Sequence, residues 1–300
     1  MRSPLALGLV GLLLVTVVGC ADGSDGTDGS DGPPQSPTTP TTPTTPASPT
    51  SAAEAPSDDA PANGSTEYVA LGDSYAAAPG VPPSDPVGGC FRSGGNYASL
   101  LATDLDLQLS DQTCSGATTG DVIERQVPAI GPGTRLVTLG VGGNDADLFV
   151  QLVTSCVGAA VACSEVAGER VAEVLPTIER NVGDVLDAVQ QAAPDAQVVV
   201  VGYPDLLPER GECPDRIPLA AQDFAFVDGV VRDLSGALRR QAERRDLDFV
   251  DVYAASQGHD ICADDPWVNG VQTSPEGVIP LHPLPAEQRA VADLIAPLVR

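Results

Sequence analysis

Four valines in a row, Val198–Val201, leave few folds open to this chain. β-Branched side chains favour extended backbone, and the run shows no polar alternation, so a strand here is apolar on both faces. Such a strand needs cover above and below, which points to helices on both sides of a parallel sheet.

The flanking segments supply them. Apolar runs predict further strands at Tyr68–Leu71, near Leu107–Leu109, at Arg135–Leu139 and at Asp248–Val252. Between them, apolar residues recur at helical spacing. The pattern predicts helices over Asn96–Leu105, Thr119–Val127, Asp147–Val153, Ser164–Ala193, Gln222–Arg245 and Ala286–Leu298. Strand and helix alternate with short connections. The expected architecture is therefore a three-layer, doubly wound, flavodoxin-like domain over residues 65–300, with a five-stranded parallel sheet.

The first 64 residues read differently. Arg2 followed by the apolar stretch Leu5–Val18 is too short to span a bilayer comfortably and reads as an export signal over residues 1–20. It ends Val17-Val18-Gly19-Cys20, which resembles the lipobox of bacterial lipoproteins, and that resemblance implies lipidation at Cys20 and a membrane anchor. An ordinary secretory signal is the alternative. Residues 21–64 combine Asp-Gly-Ser repeats with a Pro-Thr tract and almost no large apolar side chains. Nothing there offsets the entropy of ordering, so a disordered tether is expected.

Composition limits the partners. The chain carries 41 Asp+Glu against 15 Lys+Arg, every basic residue being arginine, for a net charge of −26. That surface does not suit nucleic acid. A monomer acting on a small molecule or lipid is expected. Apart from Cys20, the cysteines are Cys90, Cys114, Cys156, Cys163, Cys213 and Cys262. An even number in an exported chain implies disulfides without fixing their pairing. There is no Cys-x-x-Cys spacing and there are only two histidines, so a structural zinc site is not expected.

The chemistry gathers where strands end. Tyr68–Leu71 runs into Gly72-Asp73-Ser74, placing a serine at the sheet rim where open α/β sheets bind ligands. Taken alone, Gly-Asp-Ser is an ordinary turn. Acyl transfer by a serine needs a base and donors for an oxyanion. Histidine is the usual base. Of the two available, His282 precedes the last helix and suits the role. His259 reads as structural or substrate-facing.

Gly72-Asp73-Ser74, Ser115-Gly116-Ala117, Gly143-Asn144-Asp145 and His282-Pro283, in that order, resemble the four blocks of the SGNH (GDSL-type) hydrolases. The six-cysteine layout is similar to that of secreted actinobacterial esterases and lipases in that family. The resemblance implies Ser74 as nucleophile, His282 as base, and an oxyanion hole from the backbone of Ser74 and Gly116 with the side chain of Asn144. It also implies the pairs Cys90–Cys114, Cys156–Cys163 and Cys213–Cys262. One position departs from the family pattern. Ile279 stands where an aspartate usually orients the histidine. Some secreted members use a main-chain carbonyl there, so the Ile279 carbonyl is expected to orient His282. Asp260, Asp264 or Asp265 reaching in from the neighbouring loop is the alternative. The implied activity is hydrolysis of carboxylic esters, for which no metal or cofactor is implied. Carbohydrate O-deacetylase, thioesterase, phospholipase and non-catalytic ligand-binding lipoprotein remain as alternatives.

Overall fold

The computed structural model describes residues 67–84, 89–271 and 278–300. The proposed export signal, Cys20 and the 21–64 tether lie outside the described residues. Five strands form one sheet: β1 (Tyr68–Gly72), β2 (Leu109–Asp111), β3 (Leu136–Gly140), β4 (Gln197–Val201) and β5 (Asp248–Val250). Their order is β2-β1-β3-β4-β5, and every neighbouring pair is parallel. The helices are α1 (Ser74–Ala77), α2 (Tyr97–Leu105), α3 (Thr119–Asp121), α4 (Leu148–Cys156), α5 (Cys163–Ala192), α6 (Ala221–Glu243), α7 (Val252–Ala255) and α8 (Pro285–Ile295).

The pleat sorts strand residues into two cores. Val69, Leu71, Val137, Leu139, Val198 and Val200 face α5 and α6. Tyr68, Ala70, Leu136, Val199 and Val201 face α2 and α8. The valine run is thus covered on both sides, as its sequence demands. α5 runs unbroken through Pro176, which costs a helix roughly 3 kcal/mol. Val171, Val174, Ile178, Val182, Val185, Leu186 and Val189 are all buried along its inner stripe. At about 1.5–3 kcal/mol each, their burial outweighs the proline. Pro176 itself lies on the exposed face, where water can reach the carbonyl that its missing N–H leaves unpaired.

Some elements differ from the sequence reading: β5 stops at Val250 and Val252 opens α7, and α4 runs on to Cys156. β2 lies two residues later than expected, at Leu109–Asp111, and is only half-buried, because it is an edge strand with one paired side. The 119–127 segment is not one regular helix. It passes from α3 through a π-turn at Val122–Gln126 into a 3₁₀ turn at Val127–Ala129, where Pro128 lacks the N–H needed to continue.

α8 carries a buried acid. Glu287 is 3% exposed, and burial pushes its carboxyl up to about 8 from 4.5, the side-chain hydrogen bond with Gln288 opposing the rise. Between those two values the folded chain holds a proton that the unfolded chain has lost. Stability therefore falls with rising pH across that window, by about 1.4 kcal/mol per pH unit, and levels off above it. Glu287→Gln removes this slope. In urea titrations at about pH 5 and about pH 8, the variant's stability relative to wild type is expected to rise by several kcal/mol at the higher pH. An unchanged difference would show that Glu287 ionises freely in the fold.

Candidate active site

Strand order reverses between β1 and β3, and the crevice above such a reversal is where open α/β sheets bind ligands. The loops after β2, β1 and β3 meet there. Asp73 caps α1, its Oδ1 accepting from Tyr75 N–H at 2.9 Å. Ser74 is therefore the first residue of a one-turn helix, 6% exposed. Ala78, in left-handed conformation at φ 52°, closes that turn. Asp73 N–H donates to Gly140 O at 3.0 Å, tying the serine turn to the end of β3.

The loop bearing Gly116 is joined to β1 by Cys114 N–H donating to Gly72 O at 3.0 Å. The Cys90–Cys114 disulfide links it to the segment before α2. Gly116 has φ +83°, and a Cβ there would meet nothing within 4 Å. Glycine is needed for the left-handed backbone, and the space beside it is open. The loop bearing Asn144 follows β3. Asn144 Nδ2 donates to Ala117 O at 3.1 Å. An amide nitrogen carries two hydrogens, so this contact uses one and fixes the direction of the other. The next residue, Asp145, reinforces the link by accepting from Thr119 N–H at 2.8 Å and Thr119 Oγ1 at 2.5 Å. A Cβ at Gly143 would lie 2.1 Å from the Phe149 ring, so any side chain there must displace that ring.

Ser74 and His282, 208 positions apart, both line one cavity of about 410 Å³. Its remaining wall is almost wholly apolar and includes Phe149, Leu152, Leu207, Leu219, Val227 and Ile261. Tyr75, next to Ser74, bridges the two ends of the chain. Its ring stacks on His282, centroids 5.7 Å apart, and its hydroxyl donates to Leu281 O at 2.8 Å.

His282 Nδ1 lies 2.9 Å from Pro280 O. A carbonyl only accepts, so this contact holds the proton on Nδ1 and leaves Nε2 to accept. The orienting carbonyl is that of Pro280, which corrects the expectation of Ile279. Leu281 adopts φ 62°, and the turn it makes brings the nearer carbonyl under the ring. The Ile279 carbonyl faces Asn269 Nδ2 instead, at 3.5 Å. Two of the three aspartates weighed for the same role, Asp260 and Asp265, have other partners. Asp260 Oδ1 accepts from Cys262 N–H at 2.7 Å. The Asp265 carbonyl and carboxylate both sit beside His259 Nδ1. His259 stacks on Trp267 with centroids 4.6 Å apart and takes no part in lining the cavity.

The loop bearing His282 is clamped by Asn269, a residue absent from the sequence reading. Asn269 N–H donates to His282 O at 2.9 Å, Asn269 O accepts from Leu281 N–H at 3.0 Å, and Asn269 Nδ2 donates to Val278 O at 3.1 Å. Nothing in its local sequence marks it, because its partners come from the other side of the bridge Val268↔Pro283. Burial sets the titration of the site. Desolvation holds the His282 imidazole below the usual 6.5, the Pro280 contact opposing it. Burial pushes the Asp73 carboxyl up to about 7, while hydrogen bonds from Tyr203 and Tyr75 N–H pull it down.

The three disulfides are Cys90–Cys114, Cys156–Cys163 and Cys213–Cys262, a set that suits maturation in an oxidising compartment. The pairing is the one the actinobacterial resemblance implies.

Comparison with known proteins agrees with this geometry. The model of the GDSL-like lipase/acylhydrolase family matches residues 70–290. Lipase 2 of Streptomyces coelicolor is 34% identical over 265 residues, 80% of this chain and 88% of that protein. The crystal structure of phospholipase A1 from Streptomyces albidoflavus superposes with a TM-score of 0.70 at 31% identity, covering 78% of this chain and 99% of that one. An extracellular lipase from Streptomyces rimosus gives 0.69 at 33%, covering 78% and 98%.

Proposed function

Because this chain belongs to the GDSL-like lipase/acylhydrolase family and is an ester-hydrolysing serine hydrolase, we propose that it is an exported lipase that forms an acyl-enzyme on Ser74. One observation carries the reading: Ser74 and His282 share the wall of a roomy apolar cavity. Such a wall suits a hydrocarbon acyl chain. An acetylated sugar needs polar partners for its hydroxyls, and these walls offer few.

In the proposed reaction His282 Nε2 takes the Ser74 hydroxyl proton as Oγ bonds to the ester carbonyl carbon. The carbonyl oxygen becomes an oxyanion, held by the N–H groups of Ser74 and Gly116 and by the Asn144 amide. The tetrahedral species collapses, the carbon–oxygen bond to the alcohol breaks, and His282 returns the proton to the departing oxygen. Water, deprotonated by His282, then attacks the acyl-enzyme and releases the acid and free Ser74. His282 works as a dyad partner, oriented by the Pro280 carbonyl in place of a carboxylate. A phospholipid ester is the second reading, favoured by the likeness to the S. albidoflavus phospholipase A1.

We read the leader and Cys20 as placing the mature domain outside the cell on a lipidated tether, and the disulfides support export.

Filling the cavity tests the substrate class. Leu219 is 8% exposed and borders the open space. Leu219→Trp is expected to lower kcat/KM for laurate and palmitate esters at least about tenfold relative to acetate and butyrate esters. An unchanged chain-length profile in the folded variant would remove the cavity from the acyl-binding role.

A further inference from the structure

The loop after β4 is the one strand end in this crevice to which the family blocks give no task, and it carries Tyr203. The residue is 2% exposed. Its phenol donates to Asp73 Oδ2 and accepts from Gly143 N–H at 2.9 Å. Asp73 precedes Ser74, and Gly143 precedes Asn144. A single hydroxyl therefore joins the turn that presents the nucleophile to the loop that presents the oxyanion amide. Few side chains can do this, because one group must donate to a carboxylate and accept from an amide at once. The ring is fixed laterally by edge contacts, with centroids 5.3 Å from Tyr75 at 75° and 5.3 Å from Phe149 at 89°. Both neighbours line the cavity.

We propose that Tyr203 is a positioning residue for ester hydrolysis, setting the distance between Ser74 and the Asn144 amide through its bonds to Asp73 and Gly143. The proposal rests on the reading of Ser74 as nucleophile and Asn144 as oxyanion donor. Tyr203 touches no reacting atom. Without its hydroxyl, the buried Gly143 N–H loses its acceptor and Asp73 Oδ2 loses its donor, Oδ1 keeping Tyr75 N–H, so the two loops relax independently. Misplacing catalytic groups by about an ångström costs on the order of 100-fold, somewhat less than deleting an oxyanion donor outright.

The test uses the full chain carrying Tyr203→Phe, with Asp73→Asn as a second variant. The asparagine keeps volume, but with its oxygen on Tyr75 N–H it turns an NH₂ donor toward the phenol, whose own O–H then loses its acceptor. Folding is checked by near-UV circular dichroism and Tm. On a soluble butyrate ester, kcat is expected to fall about 10- to 100-fold with KM changed less than about threefold. Affinity for butylboronic acid, a tetrahedral mimic, should fall in step with kcat, which loss of stability alone does not produce. Asn144→Ala combined with Tyr203→Phe should be within about threefold of Asn144→Ala alone, since both act on one donor.

A folded Tyr203→Phe with near wild-type kcat, or losses that multiply in the double variant, overturns the assignment. Should Tyr203→Phe not fold, Asp73→Asn decides by the same criteria. If Asn144→Ala leaves kcat intact, the oxyanion reading fails first. If Asn144→Ala is slow and Tyr203→Phe is not, only the role of Tyr203 fails.

Discussion

Ser74→Ala is expected to lower kcat on a short-chain aryl ester by at least about 10⁴-fold while leaving the fold intact. The fold should survive because Ser74 is not the cap of its helix. Asp73 supplies that cap through Oδ1, and the Ala78 N–H bonds the backbone carbonyl of residue 74, which alanine retains. Serine hydroxyls also have no intrinsic reactivity at neutral pH, so the loss measures activation by the neighbours. A fluorophosphonate probe is expected to label wild type at one residue, Ser74, and to leave the alanine variant unlabelled. Retained turnover in a folded, unlabelled Ser74→Ala would end the acyl-enzyme reading.

Much of the arrangement behind that expectation is legible in the sequence, for a physical reason. β1, β3 and β4 are flanked on both sides and covered on both faces, so burial leaves them few polar positions (Thr138 in β3 is buried against the Tyr68 hydroxyl), and their apolar runs show plainly. β2 is an edge strand reading Leu-Ser-Asp, with no such run to mark its bounds. Around the proposed site, residue type and strand-end position brought Ser74, Asn144 and His282 forward from the sequence, and Ser74 and His282 line one cavity. Residues defined by three-dimensional conformation were not. Pro280 takes the orienting role because Leu281 enters the left-handed region, a conformation leucine does not advertise. Tyr203 lay within reach of sequence reasoning. It follows the clearest strand in the chain by two positions, and the strand-end rule that singled out Ser74 applies to it equally.

The orienting carbonyl leads to the second large effect. His282→Ala is expected to cost about 10⁴-fold in kcat, and the Ser74→Ala/His282→Ala double variant should be no slower than either single one, since the pair works as a unit. Asp260→Asn, Asp264→Asn and Asp265→Asn should each stay within about threefold of wild type, because none of these carboxylates supports the imidazole. The pH profile separates a dyad from a triad independently. A neutral imidazole is required to accept the serine proton, and the neutral fraction falls as pH drops through the folded pKa. Desolvation places that pKa below 6.5, and no carboxylate raises it again. The acid limb of kcat/KM, which reports the free enzyme, is therefore expected below 6.5. Asp73, pushed up to about 7, titrates close by. The limb should nevertheless persist in Asp73→Asn, slowed but at the same pH, because it belongs to His282. A limb above 6.5 that moves down on replacing one of the three aspartates would mean that a carboxylate, not the Pro280 carbonyl, holds the base in the working enzyme.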